Sequence, residues 1–191
     1  MSRASDRSGG HVRLRELPHH GQLAIQAEVA VPPALERVVG VELPTRPNDW
    51  HPGPPQAYWL GPGEWLIVGE PQMPEKMEDD LRAAAEDSWA AIIDVSDQRT
   101  ILELDGPAAA EVLAGGCSID LHRRAFGAGR CAQTLVGRAG VLIARGDRPD
   151  GFRLFVRSSF ADYLAEWLLD AMANLDLNTP GEIDGRAHIP R

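Results

Sequence analysis

The sequence predicts an α+β domain of pseudo-duplicated split βαβ type, and three observations point there. A strand, a helix, a strand pair, a longer amphipathic helix and a bordering strand follow one another, and the same order then returns. The apolar residues alternate in short Val-, Ile- and Leu-rich runs and recur at helical spacing between them. With 191 residues, 43% of them hydrophobic, and two cysteines, the chain has enough material for a core that needs no disulfide scaffold.

Val12 to Leu17 and Gln22 to Val29 read as strands, the second setting Leu23, Ile25 and Ala27 against Gln22, Ala24 and Gln26. Pro32 and Pro33 suit the first turn of a helix whose apolar face is Leu35, Val38 and Val39, and Gly40 is placed to end it. Pro44 to Pro55 reads as loop. Ala57 to Leu60 and Trp65 to Val68 flank Gly61-Pro62-Gly63 as a hairpin. From Pro74 to Ser88, Met77, Leu81, Ala84 and Ala85 recur at helical spacing, and Glu75, Glu78, Asp79, Glu86 and Asp87 take the other face.

The second half opens with strands at Ala91 to Val95 and Thr100 to Leu104, joined by the polar turn Ser96-Asp97-Gln98-Arg99. Asp105-Gly106-Pro107 starts a short helix that runs through Leu113, with Gly115-Gly116 as its stop. Strands follow at Ala132 to Val136, Gly140 to Ala144 and Phe152 to Arg157. Ser159 and Asp162 form a capping-box-like pair before a helix whose stripe is Phe160, Leu164, Trp167, Leu168, Ala171 and Met172. The expected organisation is a disordered lead-in at 1–10, one domain at 11–174 with repeats at 11–96 and 97–174, and a polar tail at 175–191.

Charge narrows the function. A net −9, from 28 acidic and 19 basic side chains, argues against a general nucleic-acid binder. Between His122 and Arg157, however, Arg123, Arg124, Arg130, Arg138, Arg145, Arg148, Arg153 and Arg157 face only Asp147 and Asp150, a local excess suited to an anionic ligand or an acidic partner. The longest apolar run, Trp89 to Ile93, is far short of a membrane span. Met1 to Gly10 has no apolar core like that of a secretory signal, and a cytoplasmic, soluble protein is expected.

Candidate chemistry is sparse. Cys117, Asp120 and His122 are the residue types of a nucleophilic triad, but they lie too close in sequence for a base to reach the nucleophile from a separate element. Cys117, His122 and Cys131 offer three zinc ligands without knuckle spacing, and the pair His19-His20 falls in a turn. Gly127-x-Gly129 lacks a third glycine and leads into a strand, so it cannot aim a helix N-terminus at a pyrophosphate. No catalytic, cofactor-binding or metal-binding residue is assigned. Trp50, Tyr58, Trp59 and Trp65 cluster around the Pro-rich segment, where aromatic anchors serve an interface or the chain's own core. The expected contact residues are Arg123, Arg124, Arg130, Trp50 and Trp59.

The stretch Asp94-Val95-Ser96-Asp97-Gln98-Arg99-Thr100, with Leu102-Glu103-Leu104 and Gly106-Pro107, resembles the gamma subunit family of heterotetrameric sarcosine oxidase. So do Gly115-Gly116-Cys117-Ser118-Ile119-Asp120-Leu121-His122, Arg124-Ala125-Phe126, Gly129-Arg130-Cys131-Ala132-Gln133-Thr134-Leu135 and the run from Phe152 to Phe160. The similar region spans about Gly61 to Met172, including the Leu60 to Leu66 hairpin, and the two chain ends depart from it.

The resemblance implies a fold similar to the folate-binding domain of the glycine-cleavage aminomethyltransferase. It also implies alpha, beta and delta subunits as partners, with no nucleic acid and no membrane. In that enzyme sarcosine is oxidatively demethylated to glycine, with hydrogen peroxide and methylene-tetrahydrofolate formed. The FAD, FMN, NAD, tetrahydrofolate and zinc are expected on other subunits and no cofactor on this chain. An acid in a central channel, as in the folate-binding relatives, would fall to Asp94 or Asp97, which read more simply as turn and strand-end residues. The expected function is a gamma subunit without an active site of its own. The alternative is a stand-alone tetrahydrofolate-binding protein of the aminomethyltransferase type.

Overall fold

The alternating runs assemble into two antiparallel sheets. The computed structural model describes residues 4–5, 12–28, 33–85, 89–146, 148 and 150–178. Its elements are β1 (Ala4–Ser5), β2 (Arg13–Glu16), β3 (Gly21–Ala27), α1 (Pro33–Val39), β4 (Trp50–His51), β5 (Gln56–Gly61), β6 (Glu64–Gly69), α2 (Met73–Ala84) and β7 (Ala90–Asp94). They continue with β8 (Arg99–Asp105), α3 (Ala109–Ala114), β9 (Cys131–Val136), β10 (Ala139–Arg145), β11 (Gly151–Arg157), a 3-10 turn (Ser158–Phe160) and α4 (Ala161–Asn178).

One sheet has the order β4-β5-β6-β3-β7 and the other β1-β2-β8-β11-β10-β9. Read from the opposite edge, the second runs β9-β10-β11-β8-β2, so the two match strand for strand if β2 stands where β7 stands in the first. The bordering strand of the second unit is therefore supplied by the N-terminal end of the domain. This departs from the expected division at residue 96, which put Val12 to Leu17 in the first repeat. The reason is long-range: β2 pairs with β8 from Arg13↔Asp105 to Glu16↔Leu102, and Leu14 and Leu104 are buried together. Arg15 Nε donates to Glu103 Oε2 at 2.6 Å on the other face, locking the register with an ion pair.

Three apolar clusters make four layers of these elements. Leu23, Ile25, Leu35, Val39, Ile67, Leu81 and Ile92 join the first sheet to α1 and α2. Leu102, Leu104, Val112, Ile143, Leu154, Leu164 and Leu168 join the second sheet to α3 and α4. Between the sheets lie Trp50, Tyr58, Leu66, Val68, Ile101, Cys131, Leu142, Ala144 and Phe155. Strands buried on both faces explain why β6 and β10 read as continuous apolar runs.

Local chemistry fixes the ends. The β5–β6 turn has Gly63 at φ +74, and a Cβ there would meet the Ala27 carbonyl oxygen at 2.3 Å, so only glycine fits. The indole of Trp167 lies over two glycines, 2.4 Å from where a Cβ on Gly116 would stand and 3.3 Å from one on Gly137. Trp167 is accordingly half-buried against the α3–α4 cluster, while Phe160 of the same expected stripe is exposed.

Other boundaries moved for identifiable reasons. The expected loop 44–55 contains β4, because Trp50 is drawn between the sheets and pairs with Tyr58. The short helix starts at Ala109, since Ala109 N–H closes a turn on the Gly106 carbonyl at 2.9 Å. Part of the expected lead-in, Ala4–Ser5, pairs with β2. The last helix passes its expected end at Asn174 and runs to Asn178, with Leu175 packed on the core. Residues 179–191, and Glu86 to Ser88 of the expected second helix, lie outside the described residues.

Candidate functional site

The aromatic residues expected at an interface divide between interior and surface. Trp50, 3% exposed, stacks on Tyr58 with centroids 5.2 Å apart, and Tyr58 meets Phe155 edge-on at 4.9 Å. The Trp50 indole N–H donates to the Arg145 carbonyl at 3.1 Å. Trp50 therefore belongs to the seam between the sheets and presents no contact face, which corrects its place among the expected contact residues. Trp59 is half-buried on β5, with its backbone N–H on the Asp49 carbonyl at 3.1 Å.

The arginine-rich segment also divides. Arg145 is 3% exposed, with Nε on the Phe126 carbonyl and Nη2 on the Leu121 carbonyl, each at 2.5 Å, and its guanidinium lies 4.5 Å from the Phe152 ring centroid. Burial, and then the neighbouring Arg123, lower its pKa. It is a structural bolt for the loop 121–130. Arg123 pairs with Asp150 at 2.5 Å, Arg148 with Asp105 at 2.5 Å, and Arg130 with Asp49, whose backbones also bridge. Arg124, Arg138 and Arg157 stand exposed, without a side-chain partner among the described residues. The expected arginine surface thus keeps Arg124 outright and shares Arg123 and Arg130 with internal carboxylates.

The triad candidates do not converge. Cys117 is buried in the helix-side cluster, whereas Asp120 and His122 are exposed. Asp120 Oδ1 accepts the His122 N–H at 2.9 Å, and His122 Nδ1 accepts the Arg124 N–H at 3.2 Å, both turn-forming bonds. Asp94 Oδ1 likewise accepts the Ser96 N–H at 2.9 Å and shapes the β7–β8 turn, while at Asp97 it is the backbone carbonyl that accepts from Ser158 Oγ at 2.8 Å. Among the described residues no three His, Cys, Asp or Glu side chains are grouped to hold a metal.

Cys131 is fully buried on the intersheet face, its Sγ 3.4 Å from the Asp49 carbonyl, and burial pushes the thiol up to about 12. A raised thiol pKa favours the native state most below the unfolded thiol's value of about 8.5, and that contribution is lost as pH rises from there toward 12. Native chain at pH 8 is expected to leave Cys131 unmodified by a thiol-disulfide reagent and to expose it in denaturant; rapid native labelling of Cys131 would contradict its burial.

Sequence reasoning missed a cleft. At one end of the intersheet space, about 400 Å³ is enclosed by the β2–β3 connection (Leu17, His19, His20), Pro54 and Gln56, Val68, and the Ile101, Arg153 and Phe155 side of the second sheet. The only signal in the sequence was Arg153 alternating with Phe155 along one strand face, which means little until β5 is known to lie opposite.

The sarcosine oxidase, gamma subunit family matches residues 24–174. Sarcosine oxidase subunit gamma of Corynebacterium sp. (strain U-96) is 34% identical over 154 residues, covering 81% of this chain and 69% of that one. In the heterotetrameric sarcosine oxidase of Corynebacterium sp. U-96, solved in complex with pyrrole 2-carboxylate, a chain superposes with a TM-score of 0.80 at 33% identity, over 88% of both. The glycine cleavage system aminomethyltransferase T of Bartonella henselae shares the fold, with a TM-score of 0.60 at 19% identity, over 84% of this chain and 46% of that one.

Proposed function

The chain belongs to the sarcosine oxidase gamma subunit family, and from that premise we propose that it contributes contact surface to the enzyme and leaves the chemistry to its partners. On this reading it is the gamma subunit of a heterotetrameric sarcosine oxidase, with alpha, beta and delta subunits as its partners. The oxidative demethylation of sarcosine, and the flavin, nicotinamide, folate and zinc groups that serve it, fall to those other subunits. The stand-alone aminomethyltransferase reading is not retained, since that likeness extends to the fold alone.

One observation carries the proposal: the candidate triad of Cys117, Asp120 and His122 does not converge, whereas large apolar side chains stand in solvent. Ile93 and Leu135 are each 56% exposed, and Trp89 is 59% exposed. Contiguous apolar surface left uncovered marks a face that a partner covers, and Trp89 and Ile93 share one face at the edge strand β7. Arg123, Arg124, Arg130 and Trp59 supply the polar and aromatic rim of such contacts, with arginines steering encounter with acidic faces. No helix among the described residues is long and apolar enough to cross a membrane, and a cytoplasmic site of assembly accords with that.

Two variants separate surface from core. Ile93→Asp is expected to leave the melting temperature of the free chain unchanged and to abolish incorporation into the complex. R123E/R124E is expected to assemble fully but about tenfold more slowly in low salt. Wild-type incorporation of Ile93→Asp would remove that face from the interface, and a wild-type assembly rate for R123E/R124E in low salt would remove the arginine face.

A further inference from the structure

Two cations and one carboxylate share the intersheet face beside the 400 Å³ cleft. Glu103 on β8 lies directly between Arg15 on β2 and Arg153 on β11 in the cross-strand register. Its carboxylate is taken by Arg15, to whose Nε it is bonded at 2.6 Å, and among the described residues it makes no ion pair with Arg153. The Arg153 guanidinium turns instead to the cleft, where Nη1 donates to Gln56 Oε1 at 2.8 Å. Its Nε is buried and has no hydrogen-bond partner among the described residues. Gln56 Oε1 also accepts the Tyr58 hydroxyl at 2.8 Å, so the amide is fixed from both sides and the fork is held still. A buried N–H of a cation that lacks an acceptor is costly, and a bidentate carboxylate is the group whose geometry meets the fork.

The rest of the cleft suits the remainder of such a molecule. Leu17, Val68, Ile101 and Phe155 give it apolar walls, and its volume lies within the roughly 300–1,000 Å³ usual for small-ligand sites. His20 holds its Nδ1 2.5 Å from the Pro18 carbonyl, which leaves Nε2 as the atom available to a ligand. Among the described residues Glu70 is the one carboxylate lining the cleft; it is solvent-exposed and makes no ion pair with Arg153. We propose that this cleft binds a small organic monocarboxylate with an apolar or aromatic body, its carboxylate on Arg153 and its body against Ile101 and Phe155.

The test uses the purified full chain and 4-fluorobenzoate, followed by fluorine NMR line broadening. Saturable broadening that unlabelled benzoate reverses is expected, with none from the neutral 4-fluorobenzyl alcohol. Arg153→Met is expected to weaken binding at least tenfold, whereas Arg138→Met, on a distant exposed arginine, leaves it unchanged. Gln56→Glu keeps the cationic side chain and places a carboxylate on Arg153 from within, so it too is expected to abolish binding, independently of how Arg153→Met folds. Equal broadening by the alcohol, or binding that survives both Arg153→Met and Gln56→Glu, overturns the proposal. So does binding to the free chain that is lost in the assembled complex, because the seat would then be filled by an acidic side chain of a partner subunit.

Discussion

Trp50→Ala is expected to destabilise the free chain by about 3–5 kcal/mol, the cost of deleting a fully buried large aromatic side chain. The variant would lose the stack on Tyr58, leave the Arg145 carbonyl without its indole donor, and open a cavity in the apolar layer between the two sheets. For a chain of this length that corresponds to a melting temperature lower by roughly 10 °C. The loss would appear without any partner present, which separates a core role from a contact role. A free variant that melts like wild type but no longer enters the complex would return Trp50 to the interface.

Arg145→Leu is expected to cost about 2–4 kcal/mol, because the Leu121 and Phe126 carbonyls would each lose a charged donor inside the protein, at about 1–3 kcal/mol per unsatisfied group, partly offset by relieving a desolvated cation. The loop 121–130 carries Arg123, Arg124 and Arg130, so loosening it would also disperse the arginine surface. Thermal melting with limited proteolysis checks this: cleavage between His122 and Arg130 should rise well before global unfolding. Arg145→Lys, a single-headed cation, is expected to recover only part of the loss, since it cannot hold two carbonyls in a planar fork. Unchanged proteolysis in Arg145→Leu would show that the loop is held by other contacts.

Periodicity located nearly every strand and helix because those patterns are local: Leu23 and Ile25 alternate within β3, and Leu164 and Leu168 recur within α4 whatever lies opposite. What it could not show was partnership. Nothing near Val12 to Leu17 indicates that this strand closes the second sheet, since its register rests on Glu103, 88 positions from Arg15. Trp50 looked like a surface anchor because its neighbours are prolines, and only the packing of β4 against β10 places it inside. The arginine run likewise reads as one basic face until Arg145 is seen turned inward and Arg123, Arg130 and Arg148 paired with aspartates. The family resemblance, by contrast, rested on continuous text around β7, β8 and β11 and did not depend on packing.

The most direct test is co-purification from cells expressing this chain, affinity-tagged, together with the alpha, beta and delta subunits of its sarcosine oxidase. The tag is expected to recover all four chains in equal amounts with sarcosine-dependent oxygen uptake, while the tagged chain expressed alone is colourless and takes up no oxygen. Recovery of the tagged chain by itself, while the other three assemble into an active enzyme without it, would show that it is not a subunit of that enzyme.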